Sequence, residues 1–282
     1  MQLIIGKTAG FCGGVSNSVT KTEKMLKKYK KIYCLGELVH NKQVVDSLIN
    51  DGLEIINDLD NISDCRVIVR AHGIPKQYYE MAKKNNIELV DLTCPRVLLI
   101  HKLAERLCKE GYFIILIAQK DHPEAIGTIS FCGNYSIIVE DENDMQLLDK
   151  IDNNKKVAII SQTTYSLTKF NDLCDRIKLI LKRDILINNT ICNATSLRQK
   201  EILEISSKVD AMIIVGGKNS SNTKKLFEIA NNIVKTYLVE TYEELFMYKN
   251  ELIKLSFIGI MAGASTSKSA IDDVIEWLNR LT

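Results

Sequence analysis

Short runs of Ile, Val and Leu recur along this chain, and many are apolar at every position rather than at alternate ones. A strand wetted on one face alternates; a continuously apolar strand must be covered on both, the condition of a parallel strand in an α/β protein. The runs that read as strands are Leu3–Ile5, Lys31–Leu35, Arg66–Arg70, Glu88–Asp91, Tyr112–Ala118, Tyr135–Val139, Lys156–Ile160, Ile185–Asn188, Ala211–Val215, Lys235–Val239 and Leu255–Ile260. Polar loops end these runs, and segments with helical spacing follow. The predicted class is α/β with mainly parallel sheets.

A length of 282 residues suggests about two domains. Yet no Pro/Gly/Ser-rich linker separates two halves, and one unit recurs three times: a cysteine, a helix, then strands. The cysteines concerned are Cys12, Cys94 and Cys192. The repeat predicts three small domains, at 13–95, 96–190 and 191–282, with the strand in 1–12 added to the sheet of the last.

With 37 basic and 35 acidic residues the net charge is +2, so electrostatics give no reason to expect nucleic acid. The lysines from Lys24 to Lys31 surround Met25, Leu26 and Tyr29 at helical spacing and read as a solvated helix face. The N-terminus has neither a basic leader nor a cleavage site. The longest apolar run, Tyr112–Ala118, is far short of a membrane span. The expected location is the cytoplasm.

Eight cysteines in a reducing compartment call for a metal or catalytic role wherever the context is special. Cys34, Cys108 and Cys174 lie in apolar segments, and Cys65 and Cys132 near strand edges; all five read as small buried hydrophobes. The other three differ. Gly10-Phe11-Cys12-Gly13-Gly14 precedes the helical pattern Val15–Lys30. Thr93-Cys94-Pro95 precedes Arg96–Glu110, with Pro95 suited to a first helical turn. Ile191-Cys192-Asn193 precedes Ser196–Lys208. Each cysteine thus falls at a strand-to-helix junction, where free amides and the helix dipole lower a thiol pKa and stabilise a metal thiolate. Soft thiolates restrict the metal to zinc or iron–sulfur. Three unrelated buried cysteines that happen to precede helices remain the alternative.

Ligands in open parallel sheets bind beyond the carboxyl ends of the strands. The loops there are rich in imidazole and hydroxyl groups: Glu37–Asn41, Ala71–Pro75, Asp121–Glu124, Gln162–Ser166, Gly216–Thr223 and Ala262–Thr266. They hold His40, His72 and His122; the fourth histidine, His101, lies within a helix and reads as surface or structural. Gly216-Gly217-Lys218-Asn219-Ser220-Ser221-Asn222-Thr223 offers amides and hydroxyls suited to phosphate, though it lacks the order of a Walker A loop, and many such loops only cap a helix. Glu124, beside His122 and Pro123, is either a proton donor of raised pKa or a first-turn carboxylate that favours the dipole.

Taken together, the stretches Gly10–Gly14, Glu37–Asn41, Ala71–Gly73, Thr93–Pro95, His122–Thr128, Gln162–Ser166, Thr190–Gln199, Gly217–Asn222 and Ala262–Ser265 resemble the 4-hydroxy-3-methylbut-2-enyl diphosphate reductase family, in its order and across essentially the whole chain. The resemblance implies a trefoil of three α/β domains around a central [4Fe–4S] cluster held by Cys12, Cys94 and Cys192, with one iron open to the substrate hydroxyl. It implies that His40, His72, His122, Ser220, Ser221, Asn222 and Ser265 bind the diphosphate, that Glu124 delivers protons, and that Thr163 lies close to the substrate hydroxyl; His122 counts with these catalytic residues. A ferredoxin- or flavodoxin-type protein would supply electrons, and the products would be isopentenyl and dimethylallyl diphosphate. Departures are minor: Asp121 stands where Gly is common, and Gly216-Gly217 and Asn193 vary. Two other readings stay open: a zinc-dependent hydrolase of a phosphorylated metabolite, and a non-catalytic iron–sulfur sensor.

Overall fold

Three four-stranded sheets, every pairing in them parallel, carry the chain. The structure is a computed structural model and describes residues 1–29 and 31–281; the predicted helix end at Lys30 lies outside them. One sheet has the order β3-β2-β4-β5, from Leu53–Ile56, Ile32–Leu35, Arg66–Val69 and Glu88–Asp91. The next has β7-β6-β8-β9, from Ser136–Val139, Tyr112–Ile117, Lys156–Ser161 and Ile185–Ile187. The third has β11-β10-β12-β1, from Thr236–Val239, Ala211–Val215, Phe257–Ala262 and Gln2–Ile5. The strand order is the same each time, and the first strand of the chain fills the last place of the third sheet. The expected host for that strand is therefore the observed one.

Helices α1 (Gly13–Lys28), α4 (Pro95–Lys109) and α7 (Asn193–Ser206) each follow the outermost strand of a sheet. Helices α2 (Lys42–Asn50), α5 (Pro123–Ile129) and α8 (Ser221–Asn231) follow β2, β6 and β10. Helices α3 (Lys76–Lys84), α6 (Leu167–Leu181) and α10 (Lys268–Asn279) follow β4, β8 and β12, and the short α9 (Lys249–Leu252) precedes β12. The chain divides into two compact units. One comprises residues 1–17, 39–50 and those from Asn193 onward, with the third sheet; the other comprises 18–38 and 51–192, with the first two sheets.

Strand β6 shows why the apolar runs are continuous. Phe113, Ile115 and Ile117 enter one core with Val157 and Ile159, while Ile114 and Leu116 enter another with Ala158 and Ile160. In β10, Ala211, Ile213 and Val215 face one core while Met212 and Ile214 face the opposite one. Each fully buried Ile contributes about 1.5–3 kcal/mol, so both faces of these strands drive folding. One strand escaped the sequence pattern: β3 is only Leu-Glu-Ile-Ile, with Glu54 exposed at the sheet edge. Among the described residues no helix is long and apolar enough to cross a membrane.

Candidate active site

The three special cysteines occupy the same place in the three sheets. Each leaves the terminal strand, β1, β5 or β9, and stands immediately before α1, α4 or α7. Each donates its amide to a carbonyl in the loop after the neighbouring strand: Cys12 to Ala264 at 3.0 Å, Cys94 to Ala71 at 3.0 Å, Cys192 to Thr163 at 2.9 Å. The Cys12 and Cys94 carbonyls accept the first helical amides, from Ser16 and Leu98. All three are half-buried, and none is in a disulfide among the described residues. Each offers a soft sulfur donor of the kind that zinc and iron–sulfur groups take.

The remaining five cysteines are built differently. Cys34, Cys132 and Cys174 are buried, and burial pushes the thiols of Cys34 and Cys174 up to about 12 and about 11. Cys65 and Cys108 are raised by burial as well. Cys34, Cys132 and Cys174 are the buried thiols the sequence suggested, whereas Cys65 and Cys108 are only half-buried.

The polar residues gather in two other equivalent loop positions. Those after β2, β6 and β10 start helices. Asn41 Oδ1 accepts from Val44 N at 3.3 Å at the head of α2, and His40 precedes it. His122 caps α5, its Nδ1 accepting from Glu124 N at 3.1 Å. That bond places the ring proton on Nε2, where it can be donated to an anion. Ser220 caps α8, its Oγ accepting from Thr223 N at 3.3 Å and keeping its hydroxyl proton to donate. Ser221 begins α8, and the Asn222 side chain is buried with an Nδ2 that has no hydrogen-bond partner among the described residues. A buried amide NH2 in that condition calls for a ligand acceptor.

The loops after β4, β8 and β12 carry His72, Thr163 and Ser265. Within one unit, the His72 and His122 rings meet edge to face with centroids 5.5 Å apart. Glu124 is buried, and Thr163 donates both its amide and its hydroxyl to the Glu124 carboxylate, each at 2.6 Å. Burial pushes Glu124 up to about 7, against the Thr163 hydrogen bonds, which favour the charged form. The first-turn carboxylate is thus no exposed partner of the dipole but an acid poised near neutrality.

Within the other unit, Asn41 Nδ2 donates to Ser265 O at 2.9 Å and Ser265 Oγ donates to His40 O at 3.1 Å. In this conformation Ser265 braces the His40 backbone. Gly217 lies so close that a Cβ there would stand 2.7 Å from His40 O.

Three side chains with no role in the sequence reading hold these loops. Gln162 accepts from Gln119 N at 3.0 Å, joining the loop after β8 to the one after β6. Glu201 and Arg198, both on α7, bind the backbone ahead of Cys12. Their partners lie nearly two hundred residues away in sequence, a separation at which no local pattern exists to read. His101 is buried, the structural alternative of the two considered.

The profile of the LytB protein family matches residues 3–279. Curated relatives called 4-hydroxy-3-methylbut-2-enyl diphosphate reductase are similar over the full length. That of Clostridioides difficile is 38% identical over all of both chains, that of Alkaliphilus oremlandii 40% over all of both, and that of Aquifex aeolicus 39% over 97% of this chain and 94% of its own. Among solved structures, the E-1-hydroxy-2-methyl-but-2-enyl-4-diphosphate reductase of Plasmodium falciparum superposes with a TM-score of 0.91 at 34% identity, covering 98% of this chain and 87% of that one. A second, described as the terminal enzyme of the non-mevalonate pathway, superposes at 0.72 with 37% identity, covering 99% and 100%.

Proposed function

The chain belongs to the LytB family, and from that premise we propose that it reduces (E)-4-hydroxy-3-methylbut-2-enyl diphosphate to isopentenyl and dimethylallyl diphosphate. The substrate takes up two electrons and two protons, its allylic C–O bond breaks, and the hydroxyl leaves as water. The observation that carries this reading is the threefold repetition of a cysteine at a helix start, its amide held by the adjacent loop.

We assign Cys12, Cys94 and Cys192 as the ligands of a [4Fe–4S] cluster. Such a cluster, when bound, would relay the donor's electrons to the substrate and offer one iron without a protein ligand. The chain's own residues do the rest. Glu124 holds the proton: its burial keeps the acid form available near neutral pH, and Thr163 fixes the carboxyl in place. Thr163 stands beside the substrate hydroxyl. His40, His72, His122, Ser220, Ser221, Asn222 and Ser265 bind the diphosphate, through imidazole N–H groups, hydroxyls, the unpaired Asn222 amide and the N-termini of α2, α5 and α8. Electrons come from a small ferredoxin- or flavodoxin-type protein. Eight cysteines with no disulfide among the described residues suit a reducing cytoplasm.

The test is anaerobic purification, quantitation of iron and acid-labile sulfide, and an assay of the allylic diphosphate with an artificial one-electron donor. The reading expects matched iron and sulfide and turnover to both products. Zinc without sulfide, or a cluster with no turnover, overturns it.

A further inference from the structure

Helix α7 grips the loop that carries Cys12. Glu201 Oε1 accepts from Lys7 N at 2.6 Å, and its Oε2 accepts from Thr8 N at 2.9 Å and Thr8 Oγ1 at 2.5 Å. Three residues earlier on the same helix face, Arg198 donates to Gly10 O at 2.7 Å and to Ala194 O, in its own helix, at 2.9 Å. Arg198 is 4% exposed. Two side chains one turn apart therefore fix Lys7, Thr8 and Gly10, the stretch that runs from β1 to the cysteine.

Docking of the strand does not account for this. Strand β1 is already held by its parallel register with β12, by Gln2 N donating to Ser256 O at 2.7 Å and by Gly6 N donating to Ile260 O at 2.9 Å. The clamp acts beyond the end of the strand. There the loop has little order of its own. Ala9 N donates to Gly6 O at 3.2 Å, and Gly10 has φ +95°, where an L side chain would be strained. Burial alone would raise the Glu201 carboxyl; the bonds from Thr8 and Lys7 outweigh it and hold the group below its ordinary value. Charge-assisted bonds of this kind are about twice as strong as neutral ones.

We propose that Glu201 and Arg198 are positioning residues for Cys12: by clamping the backbone between β1 and α1 they present its thiolate as a cluster ligand. The proposal rests on reading Cys12 as such a ligand.

Wild type, Glu201→Ala, Glu201→Gln and Arg198→Met are reconstituted anaerobically with ferrous iron and sulfide. Three quantities are read: the rate of iron loss to a chelator, the electron paramagnetic resonance spectrum of the dithionite-reduced protein, and the melting temperature of the cluster-free chain. Removing an outer partner of a metal ligand typically costs about 10–100-fold in metal affinity. The expected result is iron loss faster by about that factor in Glu201→Ala and Arg198→Met, with an altered spectrum and little change in cluster-free melting. Glu201→Gln, which keeps an acceptor of the same size, is expected to fall between, and it decides the matter if the alanine variant does not fold. Iron retention and spectra like wild type in these variants overturn the inference alone. A wild-type chain that takes up no iron and sulfide overturns the reading beneath it as well.

Discussion

Thr163 ties Glu124 to Cys192. Its amide and hydroxyl occupy the two oxygens of the Glu124 carboxylate, each at 2.6 Å, while its carbonyl accepts the Cys192 amide at 2.9 Å. One residue thus joins the proposed proton donor to a proposed cluster ligand. Glu124→Gln keeps the shape but cannot accept from both donors or release a proton. Its turnover is expected to fall about 10²–10⁴-fold, the usual worth of general acid catalysis, with iron content unchanged. Steady-state kinetics beside iron analysis checks this; a loss of only about threefold, far below that range, removes Glu124 from the chemistry.

The acid's position has a stability consequence with a definite sign. Glu124 ionises at its ordinary 4.5 when unfolded and at about 7 when folded. Below 4.5 both states hold the proton. As pH rises from there, the unfolded chain ionises first, so folding stability falls; the loss is complete above about 7. Its size is on the order of 3 kcal/mol at 1.36 kcal/mol per unit. Denaturant unfolding of the cluster-free protein should show Glu124→Gln gaining on wild type as pH rises through this window. A difference that stays constant with pH would contradict a buried, protonated Glu124.

Thr163→Val separates the hydroxyl from the amide. The hydroxyl bond favours the carboxylate, so its removal raises Glu124 further. The alkaline limb of the kcat profile should move to higher pH in Thr163→Val. An unmoved limb, or one displaced to lower pH, would mean that Glu124 does not set it.

Much of this was legible in the chain. Continuous apolar runs gave away parallel strands because both faces of β6, β8 and β10 are covered, and strand-to-helix junctions singled out Cys12, Cys94 and Cys192 from their local setting. Strand β3 was hidden because Leu53–Ile56 is short and carries an exposed glutamate. The threefold unit and the place of β1 were legible from the recurring cysteine, helix and strands, although β1 stands at the opposite end of the chain from the rest of its sheet. Glu124 could be singled out but its state could not, because burial and Thr163 together decide it. The Glu201 and Arg198 clamp left no trace at all, since side chain and backbone meet only through the fold.

The two classes of cysteine should differ in reactivity. Nucleophilic attack needs the thiolate, and at pH near 8 a thiol at about 11 or about 12 is ionised to only about one part in 10³ or 10⁴. Brief alkylation of the cluster-free chain, followed by mass spectrometry, should mark Cys12, Cys94 and Cys192 first and spare Cys34 and Cys174. Early modification of Cys34 or Cys174 would show that their cores open readily.

His101 makes the last case. Its ring is 2% exposed, stacked on Phe131 with centroids 4.8 Å apart, and burial pushes it down to about 4, so it is neutral at working pH. It fills space left by two glycines: a Cβ on Gly73 would stand 2.6 Å from its Cε1, and one on Gly127 3.4 Å from its Nε2. Gly73 follows His72, and Gly127 lies one turn after Glu124. Gly73→Ala therefore carries two penalties, a left-handed backbone at φ +77° and a collision with a ring that has little room to retreat. Gly111→Ala carries only the first, at φ +84° with nothing near its Cβ. Backbone strain of this kind costs about 1–2 kcal/mol, and overpacking a core adds about 1–3 kcal/mol. Gly73→Ala should thus be less stable than Gly111→Ala by about 1 kcal/mol or more in denaturant unfolding, and should raise KM through displacement of His72. Equal losses in the two variants would mean that the His101 ring yields freely and holds neither loop.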